Sequence, residues 1–244
     1  MSLHRFHVAE AAPGARVTLP EHAAHHAREV LRLRSGAEVR VFDGRGAEYL
    51  ATLETVTRRA VEAKLGGPAP ARPESSLHLR LALSPLKGDR MELVIQKATE
   101  LGVAEIHPVI TARTDAVARP ALKGSRQDRW DKVASGAAEQ SGRAVVPLVA
   151  PTTTLERFLE GERDGLRVLL LETPGLPPLA RVAAGTPTLA TLLLGPAGGW
   201  ESAEAERIEK AGFVAGSLGP RVLRAETAAV AAVAIAQALW GDLG

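Results

Sequence analysis

Two glycine-rich turns in the last third of the chain hold the residues best suited to chemistry. The first, Gly195–Gly199, follows an apolar strand, and the second, Gly216–Pro220, precedes Arg221 and Arg224. Glycine lets a ligand approach the backbone closely, and the N–H groups at the start of a helix attract negative charge. Two arginines beside such turns suit an anionic or carboxylate-bearing ligand. The pattern predicts a ligand site at the carboxyl ends of parallel strands.

Glu226 and Thr227 follow the second arginine, where a long alanine-rich helix is predicted to begin. Ordinary helix capping, with an acidic group in the first turn, accounts for both residues. That explanation does not cover the two arginines, which stand ahead of the helix. Glu226 therefore stays open as either a helix-start residue or a chemical base.

The motifs of several common nucleotide-binding and hydrolytic sites are missing from the sequence. There is no Gly-Lys dipeptide and hence no P-loop, and there is no Gly-X-Ser-X-Gly elbow. The only Gly-X-Gly, Gly44-Arg45-Gly46, lies between predicted strands and does not precede a helix. Kinase, classical dehydrogenase and α/β-hydrolase activities therefore lose their main support.

The composition sets further bounds. With 244 residues and 45% apolar content the chain can build a substantial core, and the absence of cysteine excludes disulfides, zinc–thiolate sites and thiol nucleophiles. No apolar run is long enough for a membrane span, and the segment Met1–His7 has no apolar stretch typical of a signal peptide. We expect a soluble, cytoplasmic protein.

Positive charge is concentrated at the front of the chain. The first 72 residues carry 11 Lys/Arg against 8 Asp/Glu and five of the seven histidines, whereas the remainder carries 19 against 20. This favours a polyanion as partner of the front, although a solvated surface would also explain it. His22, His25, His26 and Glu29 have helical metal-ligand spacing, but no second ligand motif accompanies them. A basic helix facing nucleic acid is the favoured interpretation, and no metal is expected.

The pattern of elements divides the chain in two. Short alternating segments and one helix, Glu21–Leu31, occupy residues 1–72 and predict a small β-barrel. A Gly/Pro-rich linker, Gly66–Pro73, marks the predicted boundary. In residues 73–244 strands alternate with helices, among them Ser125–Gln140, and a basic loop runs through Arg113 and Arg119. This region predicts an α/β fold with a mostly parallel sheet.

Four segments in chain order resemble the RsmE family, the ribosomal RNA small subunit methyltransferases of the SPOUT superfamily. They are Gln96–Val103, Ala138–Arg143, Gly195–Gly199 and Leu218–Ala228. The front of the chain also looks like that family's PUA-like barrel. The resemblance implies a C-terminal deep trefoil knot, a homodimer, and S-adenosylmethionine held in the knot. It further implies methylation of N3 of one uridine in the decoding region of 16S ribosomal RNA.

The resemblance also implies which residues hold the cofactor. They are Leu171, Glu172, Thr173, Leu194, Gly195, Pro196, Gly198, Gly199, Leu218, Gly219, Leu223, Arg224, Thr227 and Ala228. One position departs from the family pattern, in which the first turn reads Gly-Pro-Glu-Gly-Gly, because Ala197 replaces its glutamate. Any role of that glutamate must be absent here or filled elsewhere, for example by Glu201 or Glu226.

The predicted catalytic residues are Arg224 and Arg221, which would stabilise negative charge on the uracil oxygens, and Glu226 as a base or orienting group. The residues predicted to hold RNA phosphates are Arg5, His26, Arg32, Arg34, Lys87, Arg90, Arg113 and Arg143. Two alternatives remain open. One is a ribose 2′-O-methyltransferase of the same superfamily, and the other is a non-catalytic RNA-binding protein whose glycine turns are only structural.

Overall fold

The computed structural model describes residues 3–114, 126–161 and 164–244. These residues form two compact units. The first holds the described residues through Glu74 together with Ser135–Val146, and the second holds those of Ser75–Ala134 and Pro147–Gly244. Ser125, the predicted start of a helix, and Arg119 of the predicted basic loop lie outside the described residues.

The first unit is built on a five-stranded mixed sheet. Its elements are β1 (Arg5–His7), β2 (Arg16–Thr18), α1 (Glu21–His25), β3 (Glu38–Phe42), β4 (Glu48–Val56) and β5 (Val61–Pro68). The strand order is β1-β3-β4-β5-β2, with β1 parallel to β3 and the other pairs antiparallel. The inward side chains alternate along each strand, as in the fully buried Val39, Val41 and Leu53. The sheet curls into the half-barrel of a PUA-like domain.

The helix predicted over Glu21–Leu31 changes its geometry part-way. It is α-helical to His25 and continues as a π-helix over His26–Val30, where the Leu31 N–H donates to the carbonyl of His26. Arg32 follows with φ of 54°, the only positive φ of a non-glycine residue in the described part of the chain. Periodicity alone could not predict this extra residue in the turn, because buried alanines occupy the inward positions in either helix type.

The second unit is built on a parallel sheet. Its strands are β6 (His78–Leu83), β7 (Glu105–Ile110), β8 (Leu148–Val149), β9 (Thr153–Thr154), β10 (Leu166–Leu170), β11 (Leu189–Leu194) and β12 (Val214–Gly216). Its helices are α2 (Arg90–Glu100), α3 (Gln127–Ser141, whose last turns belong to the first unit), α4 (Leu155–Glu160), α5 (Ser202–Lys210) and α6 (Ala225–Trp240), with a 3-10 turn at Leu179–Arg181.

The strand order in this sheet is β12-β10-β11-β6-β7-β8, with β9 beside β7, and all pairs are parallel. The central strands are mostly apolar and mostly buried, as expected for a sheet covered on both faces. Helix α6 packs against α2 and against strands β6 and β11. The predicted α/β fold with a PUA-like first domain is thus confirmed, whereas the trefoil knot stays a prediction. No helix among the described residues is long and apolar enough to cross a membrane.

Candidate active site

A cavity of about 810 Å³ lies at the carboxyl ends of β10 and β11, beside the start of α6. Three stretches of chain form its walls. The first continues β10 through Pro174, the second is the glycine turn after β11, and the third is the segment from Leu218 into the first turn of α6. Because the strands are parallel and adjacent, their ends meet at one edge of the sheet. The cavity therefore forms where the sequence predicted a ligand site.

Most of the residues predicted to hold the cofactor line this cavity. They are Leu171, Glu172, Thr173, Leu194, Gly195, Pro196, Gly199, Leu218, Gly219, Leu223, Arg224 and Ala228. Gly198 belongs to the first glycine turn and Thr227 to the first turn of α6, but neither lines the wall. Ala197, Val222 and Ala225, which lie within the predicted turn and segment, also line it, and so do Trp200 and Ser202, which sequence reasoning did not assign to the cavity. The only indication in the sequence for Trp200 and Ser202 was their position just after Gly199, a residue predicted to hold the cofactor.

The glycines of the first turn are required by their surroundings. A Cβ added at Gly195 would lie 2.7 Å from the indole nitrogen of Trp200, so no side chain fits there without displacing the ring. Gly199 has φ of 72°, a conformation that residues with a Cβ rarely adopt. The Trp200 N–H is buried and has no hydrogen-bond acceptor among the described residues. The turn thus presents backbone, with one unpaired indole donor packed behind it.

The two predicted catalytic arginines both line the cavity and are exposed. Arg224 stands at the N-cap of α6 in an extended conformation, and its carbonyl accepts the N–H of Ala228. Glu226, in contrast, is absent from the cavity wall, and its mostly buried carboxylate lies 4.0 Å from a guanidinium nitrogen of Arg90. The cavity geometry therefore does not support Glu226 as a base. The acidic residues of the wall are Glu172 and Glu201.

Comparison with known proteins agrees with this geometry. A family model described as an RNA methyltransferase domain matches residues 73–237, and an RNA methyltransferase PUA domain matches residues 19–66. Ribosomal RNA small subunit methyltransferase E of Synechocystis sp. is 33% identical over 92% of this chain and 74% of its own length. The chain belongs to the ribosomal RNA small subunit methyltransferase E family.

Two solved structures resemble this chain over nearly its whole length. A protein from Legionella pneumophila, in complex with the bound cofactor SAM, superimposes with a TM-score of 0.91 at 33% identity and covers 100% of both chains. The family's enzyme from Neisseria gonorrhoeae, bound to S-adenosyl methionine, has a TM-score of 0.87 at 34% identity over 99% of this chain and 100% of its own. The family suggested by the sequence motifs is confirmed.

In the first unit of this methyltransferase, Arg5 has a structural position. Its Nε and Nη2 donate to the carboxylate oxygens of Glu48 at 2.9 and 3.1 Å, and Glu48 is 3% exposed. Its Nη1 donates to the carbonyl of Ala138 at 3.1 Å, near the end of α3, and Nη2 also reaches the carbonyl of Arg143 at 3.0 Å. Internal acceptors occupy its donors, so the geometry does not favour the prediction that Arg5 holds RNA phosphates.

Arg143 was also predicted to hold phosphate, and its side chain is only 11% exposed. Its guanidinium Nε donates to Glu74 at 2.9 Å. The isolated sequence could not show this pairing, because the two residues are 69 positions apart. Both arginines are thus largely buried and pair with carboxylates inside the first unit.

Glu139 and His7 form a second buried polar group in the first unit. The backbone N–H of His7 donates to the Glu139 carboxylate at 2.8 Å, and the ring Nδ1 lies 2.8 Å from the hydroxyl of Ser135. Burial raises the pKa of Glu139 to about 7, although the His7 N–H and the charge of Arg5 oppose the rise. Burial also lowers the pKa of His7. Neither residue lines the cavity described above.

The remaining predicted phosphate ligands are at the surface. His26, Arg32 and Arg34 are exposed around the π-helix, and Lys87 and Arg90 are exposed before and at the start of α2. Sequence reasoning missed Arg58 and Arg59, which are exposed at the tip of the β4–β5 hairpin. The tip is joined to the helix by Arg28, which donates to the carbonyl of Thr57 at 3.1 Å. Arg113 is half-exposed and donates to the carbonyl of Gly198 at 2.9 Å.

Proposed function

We propose that this chain binds S-adenosylmethionine in the cavity at the ends of β10 and β11 and methylates N3 of a uridine in 16S ribosomal RNA of the small subunit. The observation that carries the proposal is the cavity itself, with walls of glycine-turn backbone and two exposed arginines. Its volume of about 810 Å³ is within the range of small-molecule sites. The Legionella and Neisseria relatives were solved with this cofactor.

The residues of the cavity fit the chemical groups of such a cofactor. Apolar side chains such as Leu171, Leu218 and Leu223 provide a surface for a flat base, and the turn backbone can contact the polar parts closely. Glu172 and Glu201 can accept hydrogen bonds from hydroxyl or ammonium groups. When bound, the cofactor supplies an electrophilic methyl group on a sulfonium.

The chain's own task is to prepare the uracil. N3 of uridine carries a proton at neutral pH, and that proton must leave before the nitrogen can act as a nucleophile. Arg224 and Arg221 would stabilise the negative charge that then spreads onto the uracil oxygens, since both line the cavity. Glu201 or Glu172 can accept the proton, since both line the cavity and Glu226 does not. Alignment of the reacting atoms supplies the rest of the rate enhancement.

The surface residues His26, Arg32, Arg34, Lys87 and Arg90 would hold RNA phosphates and bring the target base to its site. The base must be unpaired or turned out of its stack to be reached. A homodimer is part of the proposal, and the exposed apolar side chains of Leu239 and Leu243 at the end of the chain favour it. Light scattering of the purified protein would measure its mass in solution.

The decisive experiment incubates the purified protein with small subunits from a strain that lacks the activity and with cofactor carrying a deuterated methyl group. Nuclease digestion and mass spectrometry of the 16S RNA should reveal one labelled uridine with the methyl on the base. A label on the ribose would instead establish the 2′-O-methyltransferase alternative. Calorimetry with the cofactor tests the remaining alternative, because a non-catalytic RNA-binding protein should release no heat.

A further inference from the structure

The loop that follows β7, Thr111–Thr114, is hydrogen-bonded to the first glycine turn, which is far away in sequence. The N–H of Ala112 donates to the Glu204 carboxylate at 2.8 Å. The guanidinium of Arg113 donates to the carbonyl of Gly198 at 2.9 Å, across 85 positions of the chain. Neither Ala112 nor Arg113 lines the cavity. The loop thus touches the turn from outside the cofactor site.

Glu204 joins the two segments through a single buried carboxylate. Its side chain belongs to a residue only 3% exposed, and its second oxygen accepts the N–H of Glu201 at 3.2 Å. One oxygen therefore holds the loop after β7, and the other holds Glu201, the N-cap of α5, two residues after the glycine turn. A buried carboxylate is costly unless hydrogen bonds satisfy it, so both N–H groups stabilise its position.

The other side of the loop is fixed by buried hydroxyl groups. Thr114 Oγ1 lies 2.7 Å from the hydroxyl of Ser84 and accepts the N–H of Thr111 at 2.7 Å. All three residues are at most 4% exposed. The N–H of Ser84 in turn donates to the carbonyl of Leu194, the residue before the turn, at 3.3 Å. The loop and the end of β6 thus share buried hydroxyl groups, and the Ser84 N–H links them to the residue before the turn.

We infer that Glu204 and Arg113 are positioning residues that set the affinity for the cofactor by holding the glycine turn in its binding conformation. The inference rests on the proposed function. Glycine-rich backbone is intrinsically free, as the φ of 72° at Gly199 illustrates, so ordering it at the moment of binding would weaken binding. Contacts that order the turn beforehand remove that cost. Arg113, which the sequence predicted as a phosphate ligand, thereby affects binding of the cofactor rather than of RNA.

The test measures cofactor affinity by calorimetry for Arg113→Ala and Glu204→Gln. We expect the dissociation constant for S-adenosylmethionine to rise about tenfold in each variant, since loss of one ordering hydrogen bond commonly has that size. The KM for the cofactor should rise in parallel, while the KM for small subunits stays unchanged. Arg113→Lys, which keeps a cationic donor, should recover part of the affinity.

Two surface variants serve as matched controls. Arg129→Ala removes an exposed arginine of the same unit that pairs with Asp89 and Glu92, and Glu206→Gln changes an exposed glutamate on the same helix as Glu204. Both should bind the cofactor like the unaltered protein. Arg113→Ala carries the test should Glu204→Gln fail to fold, because Arg113 is half-exposed.

Three results would overturn the inference in different ways. Unchanged cofactor affinity in Arg113→Ala removes the positioning role, and a rise confined to the KM for small subunits makes Arg113 a phosphate ligand. A loss of kcat with unchanged affinity makes it part of the reaction itself. If the unaltered protein binds no cofactor, the proposed function fails, and the inference fails with it.

Discussion

The two units differ in how well their functional residues could be recognised. In the second unit the walls of the candidate cavity include two glycine-rich turns, and glycine positions in the sequence mark these turns directly. In the first unit the expected RNA-binding residues are charged side chains, and two arginines of that unit, Arg5 and Arg143, are turned inward. The comparison teaches that a backbone site has a local sequence signature, whereas the role of a charged side chain depends on partners distant in the chain.

The largest expected effect is a loss of stability of the first unit when Arg5 is replaced. Arg5→Ala removes the bidentate hydrogen-bond partner of the buried Glu48 carboxylate, although Arg40 stays 3.5 Å from that carboxylate. Losing one partner of a buried ion pair costs about 3–5 kcal/mol, and we expect a value near the lower end. Hydrogen exchange of the β1, β3 and β4 amides measures this loss in the first unit.

Arg16→Ala is the matched control, because Arg16 pairs with Glu54 in the same unit but is 71% exposed. An exposed pair contributes about 0–1 kcal/mol, so exchange should change little. If Arg5→Ala folded as stably as Arg16→Ala but bound RNA poorly, Arg5 would be the surface ligand predicted from the sequence.

Arg224 provides the next largest effect, in the second unit. Arg224→Ala should lower kcat by about 100- to 1000-fold, as loss of a group that stabilises a developing oxyanion does elsewhere. Cofactor affinity should be largely retained, because the rest of the wall, including the glycine-turn backbone, apolar side chains, Glu172 and Glu201, is unchanged. Methyl transfer to small subunits measures the first quantity and calorimetry the second.

Arg157→Ala, which removes an exposed arginine on α4, is the control and should be fully active. Full activity of Arg224→Ala would remove its proposed role in charge stabilisation. A joint loss of activity and cofactor affinity would instead make Arg224 a residue that binds the cofactor in the ground state.

The sequence sufficed for the fold class and for most of the cavity wall, for identifiable reasons. The period of apolar residues separates the half-buried strands of the first unit from the mostly apolar parallel strands of the second. Each glycine turn follows the end of a strand, so Gly195 and Gly219 could be predicted to line the same cavity. It did not suffice for Glu226, because a first-turn acid is equally a helix-start residue and a base. Nor could it reveal that Ser135–Val146 packs with the first unit, since that grouping depends on contacts such as those of Arg5 with Ala138.

Two carboxylates allow the units to be compared by pH. The pKa of Glu139 is raised to about 7 by burial, so the folded first unit binds this proton more tightly than the unfolded chain does. Its stabilising contribution is complete below the ordinary value of 4.5 and is lost as the pH rises towards 7. The loss is on the order of 2–3 kcal/mol. His7, with a lowered pKa, acts in the opposite direction, because its contribution is lost as the pH falls.

Glu139→Gln isolates the first contribution, since the amide oxygen can still accept the His7 N–H. At pH 8 the variant's first unit should be more stable than that of the unaltered protein, and the difference should vanish near pH 4.5. Hydrogen exchange at several pH values measures it. Equal stability of the two proteins at pH 8 would show that Glu139 is not held in its protonated form.

In the second unit the sign is reversed. Burial alone would raise the pKa of Glu105, but hydrogen bonds from His78, His107 and Arg80 outweigh it and lower the pKa to about 2. The contribution of Glu105 is therefore present above its ordinary value and is lost as the pH falls from 4.5 to about 2. Acid should open β6 and β7 of the second unit, while rising pH weakens the first.

The smallest expected effect concerns Arg32, where the surface role and the backbone conflict. A non-glycine residue with φ of 54° is strained by roughly 1 kcal/mol, and the exposed side chain has no hydrogen bond or ion pair within the described residues. Arg32→Gly relieves the strain, although the greater freedom of the unfolded chain offsets part of the gain. We expect the first unit to be as stable as before or slightly more stable. Binding of small-subunit RNA should weaken, and the slope of log affinity against log salt should fall by about 1.

Arg34→Gly is the matched comparison, because Arg34 is an exposed neighbour without a positive φ. It removes the same charge but gains no relief of strain, so it should lower stability and RNA affinity together. If Arg32→Gly keeps its stability but loses RNA affinity, the strained backbone at this position persists because the arginine side chain binds RNA. An unchanged salt slope in Arg32→Gly would leave the strain without this explanation and would remove Arg32 from the RNA-binding surface.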